Sequence, residues 1–308
     1  MTRTILVSTC LAMAIGASAA EAKTAVRDTP PTLPPLTVID LPETLYSAIS
    51  GPSLGAIKGA PFMVAGDAGA YPGPFTSYLV ALKPAGKKTL QTTTPLLPKV
   101  NFSASGVNDL GAVVGSTAAG DGILIKGSSI THIDAPNATS TSPFAINNAG
   151  TVVGAWYDAS GNPHPFSWSS GIFTALPAYP PGGFVTPYGI NNAGAIVGYL
   201  VDTNGVSHGF LLQGGAYTLI DPPGAASSAA VGINDSGVIA GNYCATLAGC
   251  SGNNYQYTGY TYASGVFTII AIPGVQGTEP QGITNSGVVT GNYWEAGTGY
   301  IHGFMMQP

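Results

Sequence analysis

The sequence predicts an all-β fold, a six-bladed β-propeller of four-stranded blades closed by an N-terminal strand. Three observations predict it: composition, a turn motif repeated at blade-length spacing, and a strand repeat that is split between the two chain ends. The 308 residues include 43 Gly and 25 Pro, yet 45% are apolar. Turn formers in that quantity beside Val, Ile, Thr, Tyr and Phe describe many short strands joined by turns.

The turn motif appears as "GVNDLGAVVG" (106–115), "AINNAGTVVG" (145–154), "GINNAGAIVG" (189–198), "GINDSGVIAG" (232–241) and "GITNSGVVTG" (282–291). The closing glycines are 39, 44, 43 and 50 residues apart, and the longest step contains "CATLAGC". A weaker copy, "GAPFMVAG", ends at Gly66. Each unit reads as four strands, illustrated by the third full copy. The first strand ends at Ile190-Asn191, Asn192-Ala193-Gly194 turns the chain, and the second runs from Ala195 to Leu200. After a polar loop come His208 to Leu212, a Gly214-Gly215 turn, and Tyr217 to Ile220. Asn followed by Gly supplies the positive-φ positions that tight hairpins need. Four strands per 40–50 residues is the period of a propeller blade, with a β-solenoid or sandwich array as the alternatives.

The chain ends on a third strand, "YIHGFMMQP", with no fourth to follow. Near its start "TVIDLP" (37–42) matches the fourth-strand endings "THIDAP" (131–136) and "TLIDPP" (218–223). The N-terminal strand is therefore expected to complete the last blade.

The combination of "GINNAGAIVG", "HGFLL" and "TLIDPPGA" resembles the HAF repeats of bacterial extracellular proteins. The likeness is clear from Gly106 onward and weak over Leu36 to Pro98. It implies secretion and a propeller, and it carries over no catalytic residue.

The N-terminus reads as an export signal. Residues 1–22 hold Arg3, an apolar run from Ile5 to about Gly16, and small residues suited to cleavage, which describes a secretory signal peptide rather than a membrane span. Residues 23–35 form a Pro-rich linker, and 36–308 a single propeller domain. The mature protein is expected to be secreted or periplasmic and monomeric. Cys10 leaves with the signal, so Cys244 and Cys250 remain, and in an oxidising compartment they form a local disulfide. Metal binding by that pair would need further ligands nearby.

Only 7% of residues are charged, the net charge is −5, and no Lys or Arg follows Lys126. Nucleic-acid binding, which needs clustered basic residues, is excluded. No cofactor or metal is expected: each Asn-rich turn offers at most one acid, Asp109 or Asp235, too few for a calcium loop. His164, His208 and His302 share one strand position, which argues for a structural hydrogen bond once per blade, with Asp158 and Asp202 in register to pair with the first two. Asp40, Asp134 and Asp221 read as turn makers at strand ends. No nucleophile elbow, phosphate loop or zinc-protease helix is present, so no catalytic residue is assigned and enzyme activity stays open.

Strand alternation puts the Asn-x-Gly turns on one face and the variable loops on the other. On that loop face the candidate ligand-binding residues are Trp156, Tyr157, Tyr243, Trp294 and Glu295. The aromatics among them either pack between blades or stack on a neutral ligand such as a glycan. The sequence thus supports a binding or interaction scaffold for carbohydrate or another surface polymer. The alternative is a glycan hydrolase or lyase whose carboxylates converge near the axis.

Overall fold

The Asn-x-Gly motifs sit at hairpin turns, and the chain between them is strand. The computed structural model describes residues 36–39, 46–52, 62–69, 75–85, 88–96, 102–179, 183–250, 256–297 and 301–306. The segments expected to be a signal peptide and a linker, with Cys10, lie outside the described residues, as does Asp40.

Five sheets each hold four consecutive strands in meander order. Sheet I contains β2 (Tyr46–Pro52), β3 (Phe62–Gly69), β4 (Phe75–Ala85) and β5 (Lys88–Leu96). Sheet II contains β6 (Phe102–Val107), β7 (Val113–Thr117), β8 (Gly122–Lys126) and β9 (Ser129–His132). Sheet III contains β10 (Ser140–Ile146), β11 (Val152–Tyr157), β12 (Pro163–Ser169) and β13 (Ile172–Ala175). Sheet IV contains β14 (Phe184–Ile190), β15 (Ile196–Val201), β16 (Ser207–Gln213) and β17 (Ala216–Leu219). Sheet V contains β18 (Ser227–Ile233), β19 (Ile239–Cys244), β20 (Thr258–Ala263) and β21 (Val266–Ile270). A further sheet, VI, is composite: β22 (Val275–Ile283), β23 (Val289–Glu295) and β24 (Ile301–Met306) are joined by β1 (Leu36–Ile39), which pairs antiparallel with β24.

Each sheet lays its first strand on the second and third strands of the sheet before it: β6 on β3 and β4, β10 on β7 and β8, β14 on β11 and β12, β18 on β15 and β16, β22 on β19 and β20. In turn β2 lies against β22, β23 and β24. Successive sheets packed face to face in this way make an all-β propeller.

The core is therefore divided among the sheet interfaces. Between III and IV, Val153 meets Val185, Ile196, Leu200 and Phe210. Between IV and V, Val197 and Ile220 meet Ala230, Ile239 and Tyr260. Both sheet faces are covered, which is why strict apolar–polar alternation fails: β15, for example, buries four of its six residues.

Two glycine positions of the motif exist because backbones and rings approach too closely for a side chain. At the closing glycine, a Cβ on Gly198 would collide with the Thr186 carbonyl and lie 2.8 Å from the Phe210 ring. Gly154, Gly241 and Gly291 meet Phe166, Tyr260 and Phe304 in the same way. At the glycine that opens the motif, a Cβ on Gly232 would stand 2.6 Å from Gly282 Cα, so neighbouring first strands touch backbone to backbone.

The asparagines have a double role. Asn191 Oδ1 accepts the N–H of Ala195 inside its own turn at 2.9 Å, the local bonding the sequence suggested. Its Nδ2 then donates to the Asn234 carbonyl of the next sheet at 3.1 Å. The same donation runs from Asn108 to Asn147, from Asn147 to Asn191, and from Asn234 to Thr284. A second line lies outside it: the backbone N–H groups of Asp109, Asn148, Asn192 and Asp235 donate to the side-chain Oδ1 of Asn148, Asn192, Asp235 and Asn285. Thr284 has no amide to pass on, so the inner line ends there.

Candidate functional site

Opposite the Asn turns, the connections after the second strands of sheets III and IV are tight turns rather than open polar loops. Asp158 Oδ1 accepts the N–H groups of Ser160 and Asn162, and Asp202 Oδ1 those of Asn204 and Val206. Hydrogen bonds from Asn162, joined by one from His164, hold the Asp158 carboxyl far below the usual carboxylate range. Burial raises the Asp202 carboxyl, but bonds from Val206 and Asn204 and the nearby His208 outweigh it and the net shift is down.

Each of the three register histidines has an acidic neighbour. His164 Nε2 lies 3.1 Å from Asp158, His208 Nε2 3.7 Å from Asp202, and His302 Nε2 4.0 Å from Glu295. His208 has a second partner, since its Nδ1 is 2.8 Å from Asp221 Oδ2. The hydrogen bond to Asp221 is the main reason its pKa is raised, with burial opposing. Asp221 is thus more than the turn maker it reads as in the sequence: it also accepts the Ser228 hydroxyl at 2.5 Å and so joins sheet IV to sheet V. Ser228 donates to a carboxylate and accepts the Gly209 N–H. Its proton is not directed at an imidazole, so the group is a fastening and not a nucleophile with its base. Asp134, read as a turn maker in the sequence, instead accepts the N–H of Gly122 on β8 at 3.0 Å.

The predicted ligand-binding residues are not gathered in one place. Trp156 and Tyr157 end β11 in sheet III, where Trp156 stacks on His164 with centroids 3.9 Å apart. Tyr157 is half-buried, and burial pushes its hydroxyl pKa up. Tyr243 in sheet V is half-buried and packs near Tyr260. Trp294 in sheet VI is 5% exposed, with its ring 5.9 Å from that of Tyr257, just before β20. Glu295, beside it, is exposed.

Around that Trp294–Tyr257 contact the loop face opens into a cleft of about 510 Å³, lined by Ala245, Thr246, Gly249, Gln256, Tyr257, Thr258 and Gln276. The β19–β20 connection and Thr258 at the start of β20 supply most of the wall and Gln276 of β22 the remainder. One side is the cysteine loop. Cys244 and Cys250 form a disulfide with Cα atoms 5.8 Å apart, closing a short 3-10 turn over Leu247–Cys250. Gln256 returns from that loop and donates its N–H to the Gly249 carbonyl at 3.1 Å. The lining carries hydroxyls, two carboxamides and a phenol, and no formal charge. Such a surface can hydrogen-bond a neutral polar ligand while Tyr257 offers a ring to stack on, with Trp294 behind it. The sequence reading missed Gln256 and Gln276. The signal for Gln256 was the extra length of the repeat that holds the cysteine loop; Gln276, on β22, left none.

Among the described residues no cluster of His, Cys, Asp and Glu is arranged to hold a metal ion, and no helix is long and apolar enough to cross a membrane.

No family model matches the chain, and no curated protein matches it. Several solved structures are similar. A six-bladed fucose-recognising lectin of the fungus Aleuria aurantia is 10% identical, with a TM-score of 0.48 over 84% of this chain and 91% of the lectin. AofleA from Arthrobotrys oligospora is 12% identical, with a TM-score of 0.47 over 90% and 87%. The β-propeller domain of the Trilobed protease from Pyrococcus furiosus is 13% identical, with a TM-score of 0.46 over 85% and 95%.

Proposed function

We propose that the chain is a secreted or periplasmic six-bladed propeller of the HAF-repeat type, closed by β1, that acts as a binding scaffold for a neutral glycan or similar surface polymer. The observation that carries the reading is the uncharged, amide- and ring-lined cleft between sheets V and VI. Sugars present hydroxyls to amides and flat C–H faces to aromatic rings, and this lining supplies both partners. The disulfide is the chemistry of an oxidising compartment, which supports export. The pairing of β1 with β24 and the packing of β2 on sheet VI support ring closure.

A glycan-array screen of the mature protein tests this, with Gln256→Ala and Tyr257→Ala as site variants. The expected result is recognition of at least one neutral glycan, weakened about tenfold or more in each variant while thermal melting is retained. An array without hits, or hits indifferent to both substitutions, overturns the cleft as the site. Product analysis on each hit separates binding from cleavage.

A further inference from the structure

Five first strands, those nearest the axis, carry a bulge at one equivalent place. Pairing with the second strand slips between Ala104 and Gly106, Pro143 and Ala145, Pro187 and Gly189, Ala230 and Gly232, and Pro280 and Gly282. The residues skipped are Ser105, Phe144, Tyr188, Val231 and Gln281. A bulge leaves its extra residue out of the ladder and re-aims its side chain. All five are half-exposed, although nearly all of their chain neighbours are buried.

These positions differ from sheet to sheet exactly where the packing positions around them repeat. A hydroxyl, two aromatic rings, an isopropyl group and a carboxamide follow one another round the axis. Phe144 and Tyr188 touch edge to face, with centroids 5.6 Å apart. Tyr188 continues to Tyr199 at 5.5 Å, and Tyr199 to Phe184 at 6.1 Å. Phe184 opens β14 on the loop face and is 40% exposed, so the rings form a strip running inward from that face. Three sheets on from Phe144 stands Gln281, hydrogen-bonded to Glu279, whose burial pushes its carboxyl up to about 7.

We propose that this collar of bulge residues is a second binding site, which holds a single neutral sugar ring stacked on Tyr188 beside Phe144 and hydrogen-bonded by Gln281. Neighbouring first strands approach so closely that a Cβ on Gly106 would lie 2.7 Å from the Phe144 carbonyl, which brings the bulge residues of successive sheets side by side. Chemistry argues for a neutral occupant, because none of the five extruded side chains carries a charge. Rings on one side and an amide on the other match the two faces of a pyranose. The site is separate from the cleft between sheets V and VI and stands even if that cleft binds nothing.

Saturation-transfer NMR with D-galactose, D-mannose, L-fucose and N-acetyl-D-glucosamine tests it on the mature protein, with Tyr188→Ala, Gln281→Ala and Tyr257→Ala as variants. Transfer to at least one sugar is expected, retained in Tyr257→Ala and lost in Tyr188→Ala and Gln281→Ala. If Tyr188→Ala fails to fold, Gln281→Ala, altered at a half-exposed amide, decides alone. No transfer to any of the four sugars overturns the proposal, as does transfer that the Gln281 variant leaves unchanged. Loss in Tyr257→Ala alone overturns it too, and returns binding to the cleft.

Discussion

Gly194 and Gly198 sit in one motif and are glycine for different reasons. Gly194 has φ 81° with nothing near its missing side chain, whereas Gly198 has ordinary backbone angles and no room. Gly194→Ala should cost about 1–2 kcal/mol, and Gly194→Asn less, because Asn tolerates the left-handed region. Gly198→Ala should cost about 1–3 kcal/mol through overpacking against Phe210, and Gly198→Asn more than that. Urea midpoints of the four variants check the contrast, and an Asn that is equally tolerated at both positions would contradict it. The sequence displayed the first reason, since Asn-x-Gly is turn chemistry, but not the second, which depends on a ring arriving from β16. His208 shows the same divide. Its register with Asp202 was legible along the chain, while Asp221 reaches it only through strand pairing. Because the His208 pKa is raised in the fold, the stabilisation is complete below its unfolded value of about 6.5 and is lost as pH rises through the folded value. The melting temperature of the wild type, measured against His208→Gln, should therefore fall as pH rises above about 6.5.

At the scale of an element, the Asn turn is both a hairpin and an interface. Asn191→Ala removes the bonds to Ala195 N and Asn234 O from a residue that is 3% exposed. At about 0.5–1.5 kcal/mol per net hydrogen bond, a loss of about 1–3 kcal/mol in urea denaturation is expected. Asn192→Ala, at the exposed position beside it, should lose less. The motif was legible as a turn because its bonds to Ala195 and its glycine are local. Its reach to the next sheet was not, since that partner is 43 residues away. The candidate site divides similarly. Trp294 stood out as an aromatic, yet the structure places it behind Tyr257, so Trp294→Ala should lower the melting temperature as well as any glycan signal. Trp156→Ala, which unstacks a half-exposed His164, should lower it less.

For the whole molecule, the decisive strand is β1, where Leu36 to Ile39 pair with Met306 to Gly303. Deleting residues 36–39 strips β24 of its outer partner, and a marked drop in thermal stability is expected. An unchanged melting curve would refute closure by that strand. The matching of "TVIDLP" to internal strand endings made this pairing legible. The axial collar was not legible, for bulges follow from how strands register and leave no motif in the chain. The Asn relay has a consequence for how such a molecule grows. Asn147, Asn191 and Asn234 each give an amide forward to the next sheet and receive one from the sheet before, always in the same sense. Any repeat copied in tandem therefore arrives with a matching plug and socket, so duplication can lengthen the array with every inserted unit already bonded to both neighbours.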